Sequence, residues 1–218
     1  GHGGRYFIFV RLTTACGITG IGEIYSASFA PEVVCRMAED MFARYLEGRA
    51  PDRIEHFWRR AHGSGFTHRP DTSVQGVVSG LEMACWDLVG KALDRPVYAL
   101  LGGLVNERLR TYTYLYPPEG TDLAEFYNDP HASAEVAAAR VAEGFSAVKF
   151  DPAGQYTVYD GRMPNLEAIA QSVAFCREIR AAVGDRADML FGTHGQFTAA
   201  GALRLARQLE PFDPLWFE

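Results

Sequence analysis

The chain has 218 residues, 48% of them hydrophobic and 22% charged, with a formal net charge of −6 and a pI near 5.5. That length holds one large domain or two small ones, each with a real core. Its lysines and arginines are scattered, which excludes the basic stripe of a nucleic-acid binder, and no apolar run reaches the ~18 residues that span a bilayer.

The opening "GHGGRYFIFVRL" alternates its apolar residues instead of massing them as a secretory signal does, so a cytoplasmic protein is expected. Cys16, Cys35, Cys85 and Cys176 lie far apart, form no C-x-x-C pair, and three of them fall within helical apolar patterns. They are expected to be reduced, buried packing residues, not disulfide or zinc partners.

In chain order, "RYFIFVRLT" (5–13) is aromatic and β-branched, "ACG" turns the chain, and "ITGIGEIY" follows, so a hairpin is predicted. Pro31 opens a helix on which Val34, Met37, Met41 and Tyr45 share a face, and Ile54 to Arg60 gives a second. "HGSGFTHRPD" (62–71) reads as a loop. "TSVQ" then reads as a capping box, with Thr72 serving the amide of Gln75 and Gln75 reaching back. Val74, Val77, Val78, Leu81, Cys85 and Leu88 continue as one apolar stripe to about Ala92, and "LLGG" (100–103) is a stop. Strands followed by helices suit a small α+β domain.

After Gly103 the order changes. "RLRTYTYLY" (108–116), "FSAVKFD" (145–151), "ADMLFGT" (187–193) and "PLWFE" (214–218) are strand candidates. Helical patterns over Ala132 to Glu143, Leu166 to Ile179 and Ala199 to Leu209 separate them. Regular βαβ alternation implies a parallel sheet with crossover helices. A doubly wound sheet usually carries a Gly-rich turn after its first strand, where this chain has "YPPEG", so a (β/α) barrel is the better reading. Such barrels take ~250 residues, and four strands cannot close one. The chain is therefore expected to be an incomplete portion of a longer protein, with residues 108–218 supplying the first half of a TIM-type barrel, strands one to four.

Catalytic groups of parallel barrels gather where strands end and βα loops begin. Strand two ends Lys149-Phe150-Asp151, and period-two alternation points Lys149 and Asp151 to one side. Strand three ends Gly192-Thr193-His194-Gly195-Gln196, and strand four ends on Glu218. An ammonium, two carboxylates and an imidazole would meet at one mouth, a set suited to abstracting a proton next to a carboxylate. Glu218 is a hard oxygen ligand of the kind Mg2+ takes, and His194 is a general acid or base near neutral pH. Lys149 has a plainer reading as the ion-pair partner of Asp151.

Two stretches carry a family resemblance. "SGLEMACWDLVGKALDRPVYALLGG" (79–103) resembles a cap-domain helix and turn of the enolase superfamily, in its mandelate racemase and acid-sugar dehydratase branch. "GITGIGEIY" (17–25) resembles the hairpin whose loop folds over the substrate, and "AVKFD", the third strand and "LWFE" fit barrel strands two to four. The resemblance implies an α+β capping domain over residues 1–107 and the partial barrel over 108–218. It gives Lys149 the place of the first lysine of a K-x-K element, which holds or polarises the substrate carboxylate. Asp151 stands where the second lysine would be, which argues against racemases and cycloisomerases that use a lysine base there. Glu218 takes the second metal-ligand position. Gly192 stands where the first, an aspartate, is usual. His194 matches the general acid of related dehydratases, or replaces the missing aspartate as a metal ligand. The third ligand and the histidine base would lie on later strands.

The resemblance thus implies a Mg2+-dependent dehydratase of sugar acids giving 2-keto-3-deoxy acids, in a homo-oligomer. The alternatives are a racemase or cycloisomerase on the same scaffold, or a non-catalytic relative with an incomplete metal site. Tyr25 in the first cap loop, His68 and Arg69 in the second, and Gln196 beside His194 are the expected substrate-binding groups. Such hydrogen-bonding side chains suit a polyhydroxylated ligand, and the planar fork of Arg69 suits a carboxylate.

Overall fold

The computed structural model describes residues 6–25, 30–64, 71–151 and 163–218. It divides into two compact units, Gly1–Glu107 and Arg108–Glu218.

In the first unit, β1 (Ile8–Thr13) and β2 (Thr19–Ile24) form an antiparallel hairpin registered from Ile8 opposite Ile24 to Thr13 opposite Thr19. Alternation turns Val10 and Leu12 of β1 and Gly20, Gly22 and Ile24 of β2 inward. Helices α1 (Pro31–Tyr45), α2 (Ile54–His62) and α3 (Thr72–Ala92) complete the layer, and a single turn, α4 (Val97–Leu100), precedes Gly102 and Gly103. Val77, Val78, Leu81, Ala84, Cys85 and Leu88 of α3 are the centre of the core, which also takes in Leu12, Ile24, Val34, Met41 and Phe57.

The inward glycines decide how closely β2 meets α3. A Cβ at Gly22 would lie 1.9 Å from the Gly80 carbonyl oxygen, and one at Gly20 would lie 2.0 Å from that of Ala84. Strand and helix backbones are in direct contact there, as only glycine permits. Asp87 fastens the join: its Oδ2 accepts from the Ile21 amide at 2.8 Å and from Lys91 at 2.7 Å. The Lys91 ammonium, with the Ile21 amide, holds the Asp87 carboxyl below the usual carboxylate range.

Two expectations are corrected here. The cap of α3 is Asp71, not Thr72: its Oδ1 accepts from the amides of Ser73 and Val74 at 3.0 and 3.1 Å. A carboxylate one residue upstream is an equally good cap and also complements the helix dipole, so Thr72 becomes the first helical residue. The Gln75 side chain goes elsewhere, with Nε2 2.8 Å from His62 Nδ1. Among the cysteines, Cys85 and Cys176 are buried, whereas Cys16 and Cys35 are exposed. Cys16 sits in the hairpin turn, and Cys35 lies on the outer face of α1, off the Val34–Met41 stripe. All four are free thiols. Burial pushes the two interior ones up, Cys85 to about 11, which keeps them protonated packing groups.

The second unit is a four-stranded parallel sheet in the order β3 (Thr113–Tyr114), β4 (Ala147–Phe150), β5 (Asp188–Phe191), β6 (Trp216–Phe217). Strand order follows chain order without reversal, so every crossover steps the same way. A doubly wound sheet reverses at a switch point. Sequential order is the progression of a (β/α) barrel. The crossovers α6 (Pro130–Ala142), α7 (Leu166–Val183) and α8 (Ala199–Leu209) all pack on one face. Ala137, Ile179, Val183, Leu205 and Leu209 meet Leu115, Val148, Phe150, Met189 and Phe191 there.

Strand β3 is shorter than its 108–116 pattern predicts. Thr113 pairs with Val148, and β4 begins only at Ala147, so among the described residues those before Tyr112 have no neighbouring strand to bond. Arg110 instead ties down the lower edge through Ser146 and Asp188. A single turn capped by Asp122, α5 (Leu123–Phe126), was not predicted; four residues are too few to show periodicity. Among the described residues no helix is long and apolar enough to cross a membrane.

Candidate active site

The site grows from the sheet register. Phe150, Phe191 and Phe217 are successive partners across β4, β5 and β6, and their rings meet edge to face at 5.2 and 6.2 Å. They point into the helix-covered core. One residue further on, each side chain must point the other way, and these residues are Asp151, Gly192 and Glu218. The ladder continues through them, with Gly192 N donating to Phe150 O and Glu218 N to Phe191 O, both at 2.9 Å.

Gly192 is the middle of this rung, and its missing side chain leaves a space that its neighbours fill. A Cβ there would lie 2.8 Å from Asp151 Oδ1, 2.8 Å from Lys149 Cε and 3.2 Å from Glu218 Oε2. Lys149, Asp151 and Glu218 thus lean toward one point above strand three. The ion pair of Lys149 is with Glu218, Nζ to Oε2 at 2.7 Å, not the pair with Asp151 that adjacency suggested. Lys149 is 8% exposed, and a buried ammonium needs such compensation. The rings of Tyr112 and Tyr114 add to it, with centroids 5.9 and 5.8 Å from Nζ.

His194 lies at φ 50, followed by Gly195 at φ 70. Two left-handed residues in succession turn the chain back on itself, and glycine alone takes the second without strain. For the histidine the conformation costs roughly 1–2 kcal/mol, a strain of the kind that functional sites retain. The turn sets His194 Nδ1 3.6 Å from Asp151 Oδ1. That distance is too long for a hydrogen bond, and the contact is an ion pair only when the imidazole is protonated. Asp151 Oδ1 and Gln196 Nε2 are buried atoms with no hydrogen-bond partner among the described residues.

Lys149, Asp151, His194, Gln196 and Glu218 therefore all belong to the ends of β4, β5 and β6. Tyr25 is at the end of β2 in the first unit and is 85% exposed. His68 and Arg69 lie outside the described residues.

Residues that the sequence reading missed also shape the mouth. Thr193 is buried, and its hydroxyl donates to the Glu218 carbonyl, fixing the end of β6 against β5. The Tyr112–Tyr114–Tyr116 alternation in "TYTYLY" was the available signal for the aromatic wall beside Lys149. Tyr114 and Tyr116 stack at 5.1 Å.

The donor set fits a hard divalent cation. Mg2+ binds through one or two carboxylates and keeps several waters. Asp151 and Glu218 each bring an oxygen to the point where a side chain of residue 192 would begin, with the Lys149 stem between them, and the Asp151 oxygen accepts no hydrogen bond among the described residues. Among the described residues no group of three His, Cys, Asp or Glu side chains is placed to hold a metal ion, so these two carboxylates are at most part of a ligand set.

Residues 3–102 match the model of the mandelate racemase / muconate lactonizing enzyme N-terminal domain, and residues 132–218 match the enolase C-terminal domain-like model. The chain is 34% identical over 217 residues to a D-galactonate dehydratase of Xanthomonas axonopodis pv. citri (strain 306), covering 100% of this chain and 52% of that protein. It is 34% identical over 224 residues to a D-xylonate dehydratase of Haloferax volcanii, covering 99% of this chain and 51% of that protein. The crystal structure of mandelate racemase/muconate lactonizing enzyme from Jannaschia sp. CCS1 superposes with a TM-score of 0.93 at 57% identity, over 99% of this chain and 56% of the other. The chain thus spans about half the length of the curated relatives it matches. With both domain models matched in order and strands that progress as a barrel, the chain belongs to the mandelate racemase/muconate lactonizing enzyme family of the enolase superfamily.

Proposed function

We propose that this chain supplies the cap and the first four barrel strands of a Mg2+-dependent sugar-acid dehydratase. The observation that carries the reading is the rung Asp151–Gly192–Glu218 with Lys149 and His194 turned onto it, in a chain whose relatives include D-galactonate and D-xylonate dehydratases.

The reaction is removal of the C2 proton, α to the carboxylate, and departure of the C3 hydroxyl as water. The resulting enol tautomerises to a 2-keto-3-deoxy acid. Lys149, held by Glu218 and its tyrosine wall, meets the substrate carboxylate. His194 delivers a proton to the departing C3 oxygen, its ring oriented by Asp151 at 3.6 Å. Glu218 is a hard oxygen ligand for Mg2+, which when bound supplies Lewis-acid polarisation of the substrate carboxylate. The base belongs to the part of the protein after Glu218, as the family resemblance implies.

The test is to offer the full-length protein a panel of aldonic and aldaric acids and to assay keto-acid formation. Turnover of at least one acid is expected, and His194→Ala should lower kcat by about 10²–10⁴-fold. No turnover of any acid, or undiminished activity in the variant, overturns the reading. A racemase or cycloisomerase would instead exchange deuterium from solvent into C2 without losing water. Gly192, where an aspartate is usual, favours a non-catalytic relative as the second reading. That relative would show no rise in Tm with divalent metal, because only a ligand bound by the native state stabilises it.

A further inference from the structure

We infer that Asp151, from the end of strand two, supplies the metal-binding carboxylate that residue 192 on strand three lacks. The inference rests on the Mg2+-dependent reading above and specifies how the metal site is built in this chain.

The geometry is that of a ligand reaching in from the neighbouring strand. Adjacent strands lie ~4.8 Å apart, within reach of one carboxylate arm. Asp151 Oδ1 comes to 2.8 Å from where a Cβ of residue 192 would begin, and Glu218 Oε2 reaches 3.2 Å from the same point on the other side. The side chain of Asp151 is 7% exposed, and Oδ1 accepts no hydrogen bond among the described residues. Leaving a carboxylate oxygen buried and without a hydrogen bond is costly, and a divalent cation held between Asp151 and Glu218, taking the place of the Lys149 ammonium on Glu218 Oε2, would remove that cost.

Gly192 and Asp151 are then two halves of one exchange. An aspartate at 192 would claim the space that the ends of Asp151 and Lys149 now fill, and a glycine there leaves it to them. His194 is the weaker candidate ligand. Its side chain is 52% exposed, and imidazole suits softer metals than Mg2+. This leaves the histidine for proton transfer.

The experiment measures Mn2+ affinity of the full-length protein by electron paramagnetic resonance, with Mg2+ competition, for wild type, Asp151→Asn, Asp151→Ala and the double variant Gly192→Asp/Asp151→Ala. Asp151→Asn should weaken Mn2+ binding by at least about 100-fold, the upper end of what disturbing a ligand's supporting shell costs. Asp151→Ala should do the same, and the double variant should return to within about tenfold of wild type. Asp151→Asn with unchanged affinity overturns the inference and leaves the dehydratase reading standing. So does a double variant that melts cooperatively yet recovers no affinity, since Asp151 would then act through packing or through His194. Wild type that binds neither cation overturns both.

Discussion

Glycine serves opposite ends in the two units. In the first, Gly20 and Gly22 let a strand rest on the backbone of α3, so that carbonyl oxygens of the helix fill the place of side chains. In the second, Gly192 leaves a gap that the ends of charged side chains enter, namely a carboxylate oxygen, the carbon stem of an ammonium and a second carboxylate oxygen. The first gap is closed by main chain, which cannot yield. The second is closed by the far ends of flexible side chains, which can. A missing side chain therefore acts as packing where backbone fills it and as a site where charged groups fill it.

Substitutions sharpen this contrast. The largest effect belongs to Gly22→Ala, whose methyl would meet the Gly80 carbonyl at 1.9 Å. It should destabilise the protein by about 4 kcal/mol, above the usual range for overpacking because neither backbone can move aside, as read from denaturant unfolding. A loss below about 1 kcal/mol would mean that strand and helix slide apart freely, and the distinction would fail. Gly192→Ala should cost only about 1 kcal/mol in the same assay, since side-chain tips can rotate away. In the full-length protein it should nevertheless lower kcat/KM for the proposed sugar-acid substrate by tenfold or more, because the displaced groups are those of the proposed site. Equal loss of stability at both positions would erase the contrast. The smallest effect tests the start of α3, the helix on which the first contact depends. Asp71→Ala should cost about 1 kcal/mol and Thr72→Ala a few tenths, the reverse of what a Thr72 cap would give.

The sequence displays some of this plainly and hides the rest. Period-two and period-3.6 patterns mark strands β1, β2, β4 and β5 and every long helix, because those elements bury one face or one stripe. They mislead at β3, where "RLRTYTYLY" has the composition of a long strand but, among the described residues, meets β4 only from Tyr112 onward. They also mislead at Cys35, which sits in a helical pattern yet one position off its buried face. At the cap of α3 two adjacent residues were both competent, and backbone geometry chose between them. In the candidate site, alternation suffices to send Lys149, Asp151 and Glu218 to one side. It carries no information on which neighbour each would take. The partner of Lys149 is Glu218, 69 positions away, and only the lateral order of the strands makes that pair. The left-handed turn at His194 was equally invisible, since nothing in the letters Thr-His-Gly fixes a positive φ on the histidine.

The phenylalanine ladder beneath the mouth has one more consequence. Phe150, Phe191 and Phe217 are each a single residue from Asp151, Gly192 and Glu218. A slip of β4 or β6 by one position would trade an aromatic ring for a carboxylate in the core, a slip of β5 would trade one for a glycine, and each would lift the ring into the mouth. The sheet therefore has no half-assembled form that keeps a weakened version of the chemistry. Heating or mutation that loosens this pairing should abolish activity in one step, together with the loss of the core, and not erode it beforehand.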